Sequence, residues 1–142
     1  MPSETAVKTW INLARAYGTA MTEINEALAA NGLPPLIWYD ILLELERAGD
    51  DGLRPYELEH ALLLKQYRVS RLVDRIARDG YLRRQSCDDD RRGKRLVITD
   101  EGRALRRSMW QIYGAKIHAL VGHKLSDAQS RKLAALLAEL TG

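Results

Sequence analysis

The sequence lacks the features that mark several large classes of protein. Its single cysteine, Cys87, allows no disulfide within the chain, which is usual for proteins of a reducing compartment. No apolar run approaches the roughly 18 residues needed to cross a bilayer. The first four residues also lack the basic and apolar regions of a signal peptide. These absences predict a cytoplasmic protein with no membrane partner.

Motifs for catalysis and metal binding are missing as well. The sequence contains no phosphate-binding glycine loop and no nucleophile motif, so it predicts neither an enzyme nor a cofactor. His118 and His123 are five residues apart, which places them on different faces of an α-helix. No second cysteine is available to complete a zinc site. The sequence therefore predicts no metal.

Positive charge is concentrated in one part of the chain. Residues 65–95 contain 11 Lys and Arg against 5 Asp, a local net charge of +6, whereas the remaining residues have a net charge of −3. A basic segment on a mildly acidic body is typical of a protein that docks one edge onto a polyanion. Nucleic acid is the polyanion that such a distribution indicates most often.

Apolar residues recur at helical spacing through most of the 142 residues, a length that favours a single domain. The pattern predicts helices over residues 7–28, 36–47, 57–62, 66–79 and 101–124 and, after a capping box at Ser126 and Gln129, over the last part of the chain. Strand patterns occur only at residues 81–86 and 95–98, which predict a hairpin with an exposed charged loop. This order of elements predicts a mainly α-helical winged helix-turn-helix core flanked by outer helices.

Two motifs add a resemblance to a known family. The hairpin region reads Asp90-Arg91-Arg92, then Leu96-Val97-Ile98, then Thr99 to Gly102, and the preceding helix contains residues 71–76 followed by Gly80. Together they resemble the MarR family of bacterial transcription regulators over essentially the whole chain. The resemblance implies one domain, 1–142, with a winged-helix core at about 33–100 and dimerisation helices at 1–32 and 101–142.

The fourth predicted helix has the properties of a helix that enters the DNA major groove. Arg68, Arg71 and Arg75 follow at i, i+3 and i+7, opposite an apolar face. Side chains near the N-terminus of such a helix usually reach the base edges. The predicted DNA contacts of this region are Lys65, Gln66, Tyr67, Arg68, Arg71 and Arg75. The alternative is a solvated helix on which Arg71 and Arg78 pair with Asp74.

The hairpin loop offers a second DNA contact. Arg91, Arg92 and Lys94 suit a narrow minor groove, where the negative potential favours an inserted arginine. By the resemblance, Asp90 orients Arg92, and Arg92 enters the groove. The alternative is a solvated charge cluster. Oxidation of the nearby Cys87 could distort the loop, but the family's peroxide sensors carry their reactive cysteine in the first helix, so we expect Cys87 to be passive.

The outer helices predict a homodimer. Their apolar faces exceed what a small winged-helix module can cover, and pairing with a second copy would bury them. A two-fold dimer would present two recognition helices to double-stranded DNA. Its binding site would be a pseudo-palindrome with half-sites about one helical turn apart.

Family members often bind small aromatic effectors between the dimerisation helices and the winged domain. Candidates to line such a pocket here are Trp10, Tyr17, Trp38, Tyr39, Trp110 and Tyr113, although aromatic residues at helical spacing also fit a core. The resemblance thus implies a sequence-specific, ligand-responsive DNA-binding regulator, with repression as the family-level expectation. The alternative is a winged-helix module that binds DNA or protein without control by a small molecule.

Overall fold

The computed structural model describes residues 1–63, 68–86 and 94–142. The chain divides into two compact units. The central unit is Gly32–Trp110, and the terminal unit combines Met1–Asn31 with Gln111–Gly142.

Most of the described residues are helical. The elements are α1 (Glu4–Ala30), α2 (Leu36–Ala48), a 3₁₀ turn (Gly49–Asp51), α3 (Pro55–Ala61), α4 (Val69–Arg78), β1 (Leu82–Gln85), β2 (Arg95–Ile98), α5 (Asp100–Ile117), a π-helical turn (His118–Gly122) and α6 (Asp127–Thr141). The predicted class, a mainly helical winged helix-turn-helix fold with one hairpin, is confirmed.

The long helices of the terminal unit have side-chain caps at their N-termini. Ser3 begins α1, and its hydroxyl accepts a hydrogen bond of 3.0 Å from the backbone N–H of Ala6. At α6 the Ser126 hydroxyl accepts from the Gln129 N–H, while the Gln129 side chain accepts from the Ser126 N–H. This reciprocal arrangement is the predicted capping box, which satisfies backbone donors that the helix itself leaves free.

The core of the central unit is built around α2. Eight of its 13 residues are buried, because this helix is apolar on most of its circumference. Trp38 packs edge-on against Tyr81, with ring centroids 6.2 Å apart. The most deeply buried side chains of this unit are Ile41, Leu42, Leu45, Leu58, Leu62, Ile76, Leu82, Leu96, Val97 and Met109.

The hairpin forms close to its predicted position, and a third segment joins it. In the antiparallel pair, Leu82 lies opposite Ile98 and Gln85 lies opposite Arg95. Leu53 then adds a bridge to Leu96 through backbone hydrogen bonds of 2.9 and 2.7 Å. A single bridging residue has no strand pattern, so the sequence does not reveal it.

Thr99 and Gly102 fix the hairpin to α5. The Thr99 hydroxyl donates to the Gly80 carbonyl at 2.7 Å and accepts from the Gly102 N–H at 3.0 Å. A Cβ on Gly102 would collide with the carbonyl oxygen of Tyr81 and would lie 2.8 Å from Cγ1 of Ile98. The Thr-x-x-Gly motif therefore caps a helix and lets the strand pass close to it.

The helix predicted from Gln66 begins later. Helix α4 starts at Val69, and Arg68 is its N-cap with an extended backbone, so no helix runs through this position. Arg68 makes no side-chain cap, unlike the Ser, Thr, Asp or Asn residues that usually begin helices. Gln66 itself lies outside the described residues.

The helix predicted to continue to about residue 124 changes its geometry. Helix α5 ends at Ile117 and passes into the π-helical turn, in which the His123 N–H donates to the His118 carbonyl at 2.8 Å. This wider turn brings the rings of His118 and His123 together, with centroids 4.5 Å apart. The prediction that these histidines lie on different helix faces was wrong, because it assumed regular α-helical rotation.

Candidate nucleic-acid interface

Helix α4 has one buried face and one exposed cationic face. Val69, Val73 and Ile76 are buried, whereas Arg71 and Arg75 are exposed. The buried valines and isoleucine fix the rotation of the helix, so the arginines must face the solvent. Neither arginine forms an ion pair with another described residue. Both guanidinium groups are thus available to an external anion.

Arg68 precedes this face at the start of the helix. It is exposed, and it lies at the end of α4 where unsatisfied backbone N–H groups favour phosphate. The other predicted contacts of this region, Lys65, Gln66 and Tyr67, lie outside the described residues.

An ion pair connects α4 to the hairpin. Arg84 of β1 pairs with Asp74 of α4, and both side chains are partly exposed. The alternative interpretation of the sequence instead paired Asp74 with Arg71 and Arg78, its neighbours along the helix. A partner ten residues away on a strand leaves no periodic signal, so sequence reasoning missed this pair. The observed pair connects the hairpin to α4 and leaves Arg71 and Arg75 without an ion-pair partner among the described residues.

The other hairpin cations differ in their surroundings. Arg83 is exposed and donates to the side-chain oxygen of Gln85 at 3.1 Å. Arg95 donates to the carbonyl of Asp51 at 3.4 Å, so it points toward the 3₁₀ turn. Lys94 is exposed where the chain enters β2. The loop residues Asp90, Arg91 and Arg92 lie outside the described residues, as does Cys87.

The aromatic candidates fall into both units. Trp38 and Tyr39 are buried in the central unit, at 8% and 7% exposure. Tyr39 stacks on Trp110 with ring centroids 6.1 Å apart, and Arg106 lies 5.9 Å from the centre of the Tyr39 ring. Trp110 remains 44% exposed. Arg106 also forms an ion pair with Glu46.

The remaining aromatic candidates belong to the terminal unit. Trp10 and Tyr17 are exposed on α1, at 66% and 48%, and Tyr113 is half-buried on α5. The buried Trp38 and Tyr39 contribute to the core, whereas Trp10, Tyr17 and Trp110 are partly exposed to solvent.

Within residues 1–63, 68–86 and 94–142, none of the helices combines the length and the apolar composition that a membrane span requires. The same residues include no group of three or more His, Cys, Asp or Glu side chains that could hold a metal ion.

Known proteins resemble this chain in sequence and in fold. The family model described as "MarR family" matches residues 31–93. The HTH-type transcriptional regulator PrsX of Escherichia coli is 28% identical over 135 residues, which cover 89% of this chain and 80% of PrsX.

Solved structures agree with the fold over nearly the whole length. Sco3205 of Streptomyces coelicolor, a MarR family transcriptional regulator in complex with DNA, gives a TM-score of 0.86 at 22% identity and covers 99% of this chain and 89% of its own. BpsR of Bordetella bronchiseptica, whose DNA binding is regulated by 6-hydroxynicotinic acid, gives a TM-score of 0.82 at 19% identity. This match covers 99% of this chain and 98% of the BpsR chain. At such identities the likeness establishes the fold.

The sequence motifs, the described hairpin and these matches agree. The curated relative is a transcriptional regulator, so the prediction of a regulator rather than an enzyme is confirmed. The chain is therefore similar to the transcriptional regulators of the MarR family, in sequence over residues 31–93 and in fold over nearly its whole length.

Proposed function

We propose that this protein is a cytoplasmic repressor that binds a pseudo-palindromic double-stranded operator as a homodimer and responds to a small aromatic effector. The observation that carries the proposal is the exposed cationic face of α4, with Arg71 and Arg75 opposite the buried Val69, Val73 and Ile76. A helix anchored on one side and basic on the other fits a major groove. A dimer bound over a promoter would exclude the polymerase.

The base of the wing supports a two-groove contact. The ion pair between Asp74 and Arg84 joins β1 to α4, and the hydrogen bonds of Thr99 join the hairpin end to α5. A wing attached in this way moves with the recognition helix. We assign Lys65, Gln66, Tyr67 and Arg68 to contacts at the start of that helix and Arg91, Arg92 and Lys94 to the wing contact, with Asp90 orienting Arg92.

Apolar side chains exposed on the terminal unit support dimerisation. Large hydrophobic residues with substantial exposure on this unit are Val7, Trp10, Ile11, Tyr17, Ile117, Val121, Leu133, Leu136, Leu137 and Leu140. Such an extent of exposed apolar surface is unusual for a monomer and is typical of a subunit interface. We infer that residues 1–32 and 101–142 supply the dimerisation helices.

The proposed effector is a small aromatic molecule, as is 6-hydroxynicotinic acid for the similar BpsR. Trp10, Tyr17, Trp38, Tyr39, Trp110 and Tyr113 are the candidate contacts. The exposed part of Trp110, whose ring stacks on Tyr39, would suit contact with an aromatic ring. Ligand-dependent release from DNA would distinguish this sensor from a module without small-molecule control.

Binding to the DNA upstream of the gene is expected to depend steeply on salt. Cationic groups from two subunits would displace many counterions, so affinity should fall at least about a thousandfold between 50 and 200 mM salt. Fluorescence anisotropy on that DNA and on a scrambled duplex of equal length measures both the slope and the specificity. A flat response, or equal affinity for the two duplexes, would contradict the proposed function.

Two substitutions at the start of the recognition helix should separate base readout from phosphate contact. Arg68→Ala is expected to cost about 1 to 3 kcal/mol on the specific site and little on random duplex, because an arginine can bond bidentately to guanine. Lys65→Ala should weaken both complexes similarly, because a phosphate contact carries no sequence information. Equal losses on both duplexes for Arg68→Ala would show that it contacts only the backbone.

A charge on the apolar face of α6 should weaken the dimer. The double variant Leu136→Glu/Leu140→Glu places two carboxylates on side chains that are 53% and 63% exposed in the single chain. Burying such carboxylates in an interface would be costly, so monomers should appear at concentrations where the wild type is dimeric. Ala135→Glu is the matched control, because it adds a charge to the opposite face of the same helix. Unchanged sedimentation of the double variant would remove α6 from the interface.

A further inference from the structure

Two histidines meet on the π-helical turn of the terminal unit. In an α-helix, five residues rotate the side chain by about 500°, which leaves it about 140° from the starting direction. Here the hydrogen bond from the His123 N–H to the His118 carbonyl closes a wider turn. The two rings lie with centroids 4.5 Å apart and planes inclined at 53°. Both residues are exposed, so the pair is accessible from solvent.

Gly122 leaves space for this pair. A Cβ at Gly122 would lie 2.8 Å from Nδ1 of His118, closer than side-chain carbons normally approach. Any larger residue would therefore displace the imidazole ring. The glycine and the π-helical turn that follows α5 together allow the two imidazole rings to meet.

We propose that His118 and His123 form a two-imidazole site for a late first-row divalent metal ion, of the class of Cu²⁺, Ni²⁺ and Zn²⁺. Imidazole nitrogen is a preferred ligand of these ions and lies about 2.0 to 2.1 Å from zinc, so each ring centroid would be about 3.2 Å from the metal. Ligand angles of 90° to 109° then separate the centroids by about 4.5 to 5.2 Å. The observed 4.5 Å lies in this range.

The site would be exchangeable. The described residues hold no third His, Cys, Asp or Glu grouped with this pair, so water would complete the coordination shell. Bound metal would link both sides of the π turn and stabilise the folded protein by mass action. This inference concerns the terminal unit and does not depend on the proposed DNA contacts.

Copper binding by the untagged full-length protein tests the proposal, because Cu²⁺ is the strongest binder of the series. Calorimetry should give one Cu²⁺ per chain, and electron paramagnetic resonance should show coupling to two imidazole nitrogens. His118→Gln and His123→Gln should each weaken binding at least tenfold. His60→Gln, which removes the remaining exposed histidine from α3, should bind copper as the wild type does.

Gly122→Ala provides a test that keeps both histidines. It should weaken copper binding because the added Cβ displaces the His118 ring, and circular dichroism should show an unchanged helix content. Copper should also raise the thermal midpoint of the wild type more than that of this variant. Coupling to a single nitrogen, wild-type affinity in either glutamine variant, or an equal loss in His60→Gln would overturn the proposal.

Discussion

Replacing Arg92 by alanine is expected to remove most of the affinity for the specific operator. The resemblance to the MarR family places this residue at the wing tip, where a guanidinium can enter a narrow minor groove. The described base of the hairpin is connected to α4 by the Asp74–Arg84 pair, and the Thr99 hydroxyl donates a hydrogen bond to the Gly80 carbonyl. If each of the two subunits loses about 1 to 3 kcal/mol of binding free energy, the affinity of the complex falls at least about thirtyfold. Fluorescence anisotropy at constant salt measures this change.

Asp90→Ala distinguishes an oriented arginine from a merely basic loop. If Asp90 holds Arg92 in its inserted pose, removing this carboxylate should weaken binding although the protein becomes more positive. General electrostatics predicts the opposite sign. Asp89→Ala is the matched control, because it removes the same charge from the neighbouring position and should bind equally or slightly more tightly. Equal affinities of the two aspartate variants would show that Asp90 does not position Arg92.

Gly102→Ala is expected to destabilise the protein by about 1 to 2 kcal/mol. The new Cβ would collide with the backbone oxygen of Tyr81 and approach Ile98, and neither can move without displacing the hairpin. Overpacking of this kind usually costs about 1 to 3 kcal/mol. The higher helix propensity of alanine offsets only about 1 kcal/mol of the loss in a helix interior. Urea unfolding of both proteins measures the difference.

Gly18→Ala is the natural control for that experiment. Gly18 also lies inside a helix, but a Cβ there would meet no atom within 4 Å. The same chemical change should therefore stabilise the chain by up to about 1 kcal/mol. Effects of the same sign at the two glycines would show that the close approach to Tyr81 does not determine stability.

Much of the fold could be predicted because its signals are local. Apolar periodicity located the helices, and the three-residue spacing of Ser126 and Gln129 predicted the capping box of α6. The hairpin strands were predicted within one residue at each end. For the site, residues such as Arg71 and Arg75 could be placed on the exposed face because Val69, Val73 and Ile76 define the opposite one.

The parts that could not be predicted depend on contacts between distant segments or on departures from regular geometry. The pairing of Asp74 with Arg84 and the bridge between Leu53 and Leu96 join separate elements, so spacing along one element does not encode them. The π turn contains more residues per turn than an α-helix, so five residues there end nearer to their starting direction than an α-helical wheel shows, which is why His118 and His123 were assigned to different faces.

In the proposed complex, the ion pair between α4 and β1 would also restrict the DNA that the protein reads. Because Asp74 and Arg84 connect α4 to the hairpin, the distance between the two proposed DNA contacts would be a property of the protein and not of the operator. One base pair inserted within a half-site would shift the wing contact by about 3.4 Å and rotate it around the duplex. The protein could then contact only one of the two grooves. Operators should therefore vary in base sequence far more readily than in the length of each half-site.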